Sequence, residues 1–409
     1  MALSASRLWP KDRLGQSTVA PSAAAPVVFL KTSAGFQVTY FARDLTDPRV
    51  LQWDERGRLL VSQTSAGSVV VLADEDHNGE REVRTLISGL TQPHGLAFYT
   101  DPTNHQTYLY IAERQQVARY PYDPATGQLT NRPQNIANLP KESAGHFTRT
   151  IAFGPNYRKH SLLLGYDQAK TLAPEKLYIS VGSSCDVCLE NTWKQAALLE
   201  SDPGGTYTAE FAGGLRNAVF FTFHPQTKEI WATEMGRDNL GDNLPPDEVN
   251  VVRVADVDTK GGARRFGWPF CYGNKLTDKT FSAPAGARPD LPKDCSQTEA
   301  PVLEIPAHSA PLGLAFIKTT DWPSTWQDNL LVAYHGSWNR TEKTGYKIVR
   351  FQLDAQGKIL APQAEDFISG WLADNKILGR PVDLKFGPDH ALYISDDYSG
   401  VIYRVAPAK

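Results

Sequence analysis

Short apolar runs alternate with polar positions along most of this chain, and clusters of Gly, Asn, Asp and Pro separate them. A period of two marks half-buried β-strands, and no long 3.6-residue stripe competes with it. The arrangement returns six times: an apolar run after Pro or Arg, a polar turn, an alternating strand, another turn and a closing strand. The copies are RVLQWDERGRLLVSQTSAGSVVVL at 49–72, PHGLAFYTDPTNHQTYLYIAERQQVARY at 93–120, and TRTIAFGP from 148 with KLYISVG at 176–182. Then come LRNAVFFTFHPQTKEIWATEMG at 215–236 with DEVNVVRV to 254, LGLAFIK at 312–318 with NLLVAYHGSWNRTEKTGYKIVRF to 351, and PVDLKFGPDHALYISDDYSGVIYRV at 381–405.

Such a unit cannot bury both of its faces alone, so neighbours must stack into a ring. The pattern therefore predicts an all-β, six-bladed β-propeller with four-stranded antiparallel blades over 31–409, after a flexible lead-in at 1–30. The stretches between the repeats, roughly 142–147, 183–214, 237–247, 261–311 and 335–345, are expected to emerge as long loops on one face. DEDHNGE at 74–80 opens like a calcium loop, but Thr85 stands where such a loop needs Glu, so it reads as a turn between strands.

Composition narrows the function. Of 409 residues, 42 are basic and 45 acidic, which excludes a surface built to neutralise nucleic-acid phosphates or to dock on an anionic membrane. No apolar run is long enough to span a bilayer. The first residues lack the apolar core of an intact signal peptide and suit a mature chain. Cys185 and Cys188 are close, Cys271 and Cys295 distant, and three pairings are possible. Leu189 stands where haem attachment needs His. The second pair lacks the spacing of a zinc site. Two structural disulfides, and with them an oxidising compartment, are the expectation.

Several polar residues recur where strands begin. Arg49 opens the first copy, Gln92 and His94 the second, His146 the third, Arg216 and Asn217 the fourth, and Arg380 precedes the sixth. His335, Asn339 and Arg340 follow a fifth-copy strand in HGSWNR. One such Arg is more often a salt-bridge partner, and His77, His105, His160, His224 and His390 read as ordinary turn or strand-edge residues. In a closed ring, however, the recurrent set would converge on one place. Clustered cations imply an anionic ligand, a small molecule with several carboxylates or phosphates.

SAGHFTRTIAFGP, VGSSCDVC, FAGGLRNAV, TEMGRDNLGDNLPPDEVN, FGWPFCYG and VAYHGSWNR together resemble the sorbosone dehydrogenase family of soluble quinoprotein glucose/sorbosone dehydrogenases, over residues 35–405. The resemblance implies a six-bladed propeller binding pyrroloquinoline quinone (PQQ) and Ca2+, and oxidising a sugar or sugar-aldehyde by hydride transfer. It makes His146 the general base and sets Arg216 beside the reactive quinone carbonyl, with Asn217 holding the cofactor. Gly236 and Arg237 would ligate calcium through backbone oxygens, with the acidic stretch at 238–248 in support, and Arg380 would bind a carboxylate. Three positions depart from the family: Val382 replaces a second arginine, His335, Asn339 or Arg340 must stand in for a cofactor lysine, and Gln92 or His94 aligns loosely with a cofactor glutamine. A nearby Arg would keep the His146 base neutral.

Two rival readings stand beside this one. A calcium-dependent lactonase-like hydrolase could use Glu234, Asp247 and Glu248 but leaves the arginines unexplained. A propeller binding module would need an exposed apolar patch instead. The disulfides are expected to join Cys185 to Cys188 and Cys271 to Cys295, and the expected location is periplasmic or secreted.

Overall fold

A computed structural model describes residues 18–19, 26–73, 82–141, 145–157, 175–253, 263–282, 292 and 294–408. It is the expected six-bladed propeller. From the channel outwards, blade 1 runs Pro48–Trp53, Leu59–Gln63, Ser68–Ala73, Glu82–Ser88, with Thr18–Val19 at its rim. Blade 2 runs Leu96–Thr100, Thr107–Glu113, Gln116–Asp123, the last pairing with both Gln128–Leu129 and Gln134–Asn138. Blade 3 runs Ile151–Pro155, Glu175–Val181, Ala197–Ser201, Thr208–Gly213, and takes Arg264–Arg265 as a parallel addition. Blade 4 is Phe221–Phe223, Ile230–Glu234, Asp247–Val252, Leu303–Ile305. Blade 5 runs Pro311–Phe316, Leu330–Tyr334, Lys347–Leu353, Ile359–Ser369, with Lys31–Thr32 outermost. Blade 6 is Pro381–Phe386, Leu392–Asp396, Val401–Pro407, and its outer strand is Phe36–Ala42 from the other end of the chain.

The second strand of each blade is covered on both sides, which is why RLLVSQ, YLYIAE, KLYISV and ALYISD read as near-continuous apolar runs. Pro48, Pro311 and Pro381 open inner strands, where a missing N–H breaks no interior ladder bond. Just after each of these prolines the register slips: Pro48 pairs with Gln63 but Leu51 with Val61, Pro311 with Tyr334 but Leu314 with Val332, and Pro381 with Asp396 but Leu384 with Ile394. Each slip is a β-bulge, which re-aims side chains.

Hydroxyls satisfy the backbone that the bulges leave unpaired. Ser62, Ser180 and Ser395 accept the N–H groups of Val50, Thr150 and Asp383, each at 3.0 Å. Other hydroxyl bonds cross between blades: Thr64 Oγ1 to Pro93 O, Thr150 Oγ1 to Val219 O, Thr233 Oγ1 to Leu312 O and Ser395 Oγ to Arg49 O.

Two stretches expected to be loops carry blade strands. The 183–214 stretch holds the outer half of blade 3, and the 261–311 stretch supplies the last strand of blade 4. Their alternation is too short to stand out from the polar residues around it. Disulfides join Cys185 to Cys188 and Cys271 to Cys295, as expected. The turn expected at 74–80 lies outside the described residues, and no helix among those residues is long and apolar enough to cross a membrane.

Gly313 has no room for a side chain: a Cβ there would sit 2.6 Å from Val382 O and 2.7 Å from the Asp383 Cα of the next blade. Gly313→Ala is therefore expected to lower stability by about 1–3 kcal/mol. Denaturant unfolding measures this, and an unchanged midpoint would contradict so tight a packing of inner strands.

Candidate functional site at the channel mouth

The residues that precede the inner strands gather at one end of the channel. His146 lies just before blade 3, with its Nδ1 2.9 Å from Ser183 O and 3.0 Å from Ser183 Oγ. A carbonyl only accepts, and Ser183 Oγ donates to Cys185 O at 2.6 Å. The proton therefore sits on Nδ1, and Nε2 keeps its lone pair. Burial, helped by the Arg216 charge, pushes the His146 pKa down to about 4. Gly182 lets the two sides of this corner meet, since a Cβ there would be 2.6 Å from Asn217 Oδ1 and 2.7 Å from His146 Cβ. Asn217 is buried, and its amide reaches Met235 Sδ at 3.5 Å.

Arg216 is held from several directions. Its backbone N–H donates to Glu234 Oε1 at 2.6 Å. Its guanidinium donates to Asp186 O at 2.9 Å, Asp186 Oδ1 at 2.8 Å and Gly236 O at 2.8 Å. Asp186 lies inside the Cys185–Cys188 loop, so that disulfide staples the segment carrying the partners of both His146 and Arg216. Arg237 turns instead to Asp278, at 2.7 Å. Asn339 donates to Asp238 Oδ1 at 2.7 Å, and Asp238 also lies 3.4 Å from Arg216.

The other side of the mouth is built from blades 5, 6 and 1. His335 Nε2 is 2.9 Å from Asp397 Oδ1, and Arg49 donates to Asp397 Oδ2 at 2.5 Å. Burial alone would raise the Asp397 carboxyl, but His335, Arg49 and Arg380 outweigh it and hold its pKa at about 2. Arg380 donates to Gly336 O at 3.0 Å and to the Tyr346 hydroxyl at 3.2 Å, and no carboxylate among the described residues pairs with it at salt-bridge distance. His94 is fully buried, and burial with the Arg49 charge drives its pKa well below 6.5.

Gln92 and Arg340 are used differently. Gln92 accepts from Arg114 at 3.4 Å. Arg340 ties two loops together through Asp242 O at 2.6 Å and Ala307 O at 3.1 Å. The acidic trio Glu234, Asp247 and Glu248 lies behind Arg216, and all six carboxylate oxygens accept hydrogen bonds. Their donors are the backbone N–H groups of Arg216, Gly236, Gly273 and Ala310 and the side-chain amide of Asn250. Burial raises all three pKa values, those of Asp247 and Glu248 to about 7.

Sequence reasoning missed Ser183, Asp186, Asp397 and Arg149. The first three come from turns, whose geometry leaves no periodic trace. Arg149 did leave a signal, because it stands two residues before a paired apolar residue of its inner strand, Ile151, as Arg49 stands before Leu51 and His94 before Leu96.

The architecture is a six-bladed propeller whose mouth sets the His146 imidazole among guanidinium groups. The chain belongs to the TrAA12-like family, whose model matches residues 30–408. It is 28% identical over 384 residues to an uncharacterized protein of Borreliella burgdorferi, covering 92% of this chain and 90% of that one. It is 26% identical over 440 residues to a pyrroloquinoline quinone-dependent pyranose dehydrogenase of Coprinopsis cinerea, covering 94% of this chain and 56% of that enzyme's length. A calcium structure of a Trichoderma reesei carbohydrate-active enzyme of family AA12 superposes with a TM-score of 0.70 at 21% identity, over 95% of this chain and 98% of that one.

The His146 geometry has a direct consequence for pH. Its folded pKa of about 4 lies below the ordinary 6.5, so the stability it contributes is intact above pH 6.5 and lost as pH falls toward 4. Titration of its ring resonances by NMR should give a midpoint near the lower value. A midpoint at or above 6.5 would contradict the burial and the Arg216 contact.

Proposed function

We propose that this chain is a PQQ- and Ca2+-dependent oxidoreductase that oxidises a sugar or sugar-aldehyde, with His146 as general base. One observation carries the reading: His146 keeps an unprotonated Nε2 beside Arg216, at a mouth where the Arg380 guanidinium has no carboxylate partner among the described residues. That donor set fits a tricarboxylate. The name of the Coprinopsis cinerea relative supports the cofactor and the sugar class, and the Trichoderma reesei structure supports calcium.

In this reading Arg380 meets a cofactor carboxylate, with Asn217, His335 and Asn339 as further polar contacts. His335 and Asn339 suit the family's lysine position better than Arg340, which is committed to Asp242 and Ala307. When bound, the quinone supplies a two-electron acceptor for the hydride of a substrate carbon. His146 Nε2 takes the proton of the substrate hydroxyl, while Ser183 holds the ring through Nδ1. Arg216 places positive charge where negative charge develops. Backbone oxygens of Gly236 and Arg237 would hold calcium. Gly236 O accepts from Arg216 here, so the guanidinium must turn away for a cation to sit on that oxygen. Trp338, 75% exposed beside Asn339, offers an aromatic surface to a sugar ring. Electrons would pass to a separate acceptor, and the two disulfides suit a periplasmic or secreted setting.

The lactonase-like alternative leaves the arginines at the mouth without a role, and each oxygen of Glu234, Asp247 and Glu248 already accepts a hydrogen bond within the chain.

His146→Gln should bind the quinone yet turn over sugar about 10²–10⁴-fold more slowly with an artificial acceptor. Near wild-type turnover with the cofactor bound would remove His146 from the base role. Arg380→Ala should weaken quinone binding by about 10–100-fold in a fluorescence titration, the loss expected for one charge-assisted hydrogen bond. Exhaustive chelation should release the quinone from the holoenzyme, and undiminished retention would eliminate the calcium site.

A further inference from the structure

Strand register places Arg49, His94, Arg149, Val219, Leu312 and Val382 at equivalent positions, each two residues before Leu51, Leu96, Ile151, Phe221, Leu314 or Leu384. They form one ring around the channel. At Arg149 and Val219 it lies three residues further along the chain than His146 and Arg216. The ring is two-sided, with nitrogen-bearing side chains on blades 1 to 3 and aliphatic ones on blades 4 to 6. The His94 ring lies 5.3 Å from that of Phe220 in blade 4, so the side chains of non-adjacent blades meet across the channel.

The polar half of this ring is short of partners. Arg149 is fully buried. One of its terminal nitrogens donates to His146 O and Thr148 O, both at 2.7 Å, while Nε and Nη2 have no hydrogen-bond partner. Among the described residues no carboxylate pairs with it. Arg49 Nε and His94 Nε2 are also buried without partners. Thr150 Oγ1, 3.5 Å from His94 Nδ1, donates to Val219 O, so it can only accept from the imidazole; the His94 proton belongs on Nδ1, and its Nε2 is a bare lone pair. A buried guanidinium with two idle donors costs several kcal/mol unless something accepts from it.

We propose that this neck binds a small monovalent anion of the halide type, which accepts from Arg149 Nε and Nη2, with Arg49 Nε at its edge. Arg49 is already neutralised by Asp397, which leaves the single charge of Arg149 to be matched. Val219, Leu312, Val382 and Phe220 are buried around the same space and favour a small, weakly hydrated ion over phosphate or sulfate. The site is separate from the cofactor position and does not depend on that reading.

Bromide is the probe, used on the full chain without quinone. Crystals grown in bromide should show an anomalous peak within hydrogen-bond reach of Arg149 Nε and Nη2. In solution bromide should raise the melting temperature saturably, and Arg149→Met should abolish that rise. Met fills much of the same volume without the charge, so the variant should be at least as stable as the parent in bromide-free buffer. If Arg149→Met does not fold, Arg149→Lys keeps the charge, loses the planar pair of idle donors and should weaken the bromide effect. Water alone at the neck, a peak with no saturable effect in solution, or an equal rise in parent and variant would overturn the proposal. So would competition between bromide and the quinone, which would assign these donors to the cofactor.

Discussion

The antiparallel pairing of Phe36–Ala42 with Val401–Pro407 closes the ring, and the mouth depends on it. Without this pairing blade 6 would expose an unpaired edge, and nothing would hold blade 1 against it. With it, Arg49 reaches Asp397 across 348 positions of sequence, Asp383 accepts from Leu51 N–H, and Ser395 donates to Arg49 O. Each such bond adds only about 1 kcal/mol. Their value is positional, because they fix the inner strands of the first and last blades at one height.

The bulges convert this closure into chemistry. A regular inner strand would point alternate residues at its neighbours and crowd the axis. In blades 1, 5 and 6 the slip after Pro48, Pro311 and Pro381 takes Arg49, Leu312 and Val382 out of the regular alternation, and Ser62 and Ser395 accept backbone N–H groups beside it in blades 1 and 6. Charge is then apportioned unevenly. Arg216 and Arg49 are matched by Asp186 and Asp397, whereas among the described residues no carboxylate lies at salt-bridge distance from Arg380 or Arg149. Groups balanced within the chain set shape, and groups left unbalanced attract ligands.

The base and its surroundings show the same division of labour. His146 supplies the lone pair, but Ser183 decides which nitrogen bears it, and the Cys185–Cys188 loop positions Ser183 and Asp186 together. A short covalent loop thus couples proton handling at blade 3 to the charge at Arg216 in blade 4.

Period-two alternation, turn residues and six returns of one pattern determined the propeller from sequence alone, because blade strands are local and their burial repeats. The positions of His146, Arg216 and Arg380 at the openings of copies were legible for the same reason. Tertiary structure decided what no local pattern records. Phe36–Ala42 joins the last blade, since a strand's partner is set by ring closure and not by its own composition. Arg340 binds loops while Arg149 faces the channel, since the role of a guanidinium depends on which carbonyls and carboxylates folding brings to it. Glu234, Asp247 and Glu248 are only nearby acids in one dimension, and in three each accepts an N–H group that folding brings from another part of the chain.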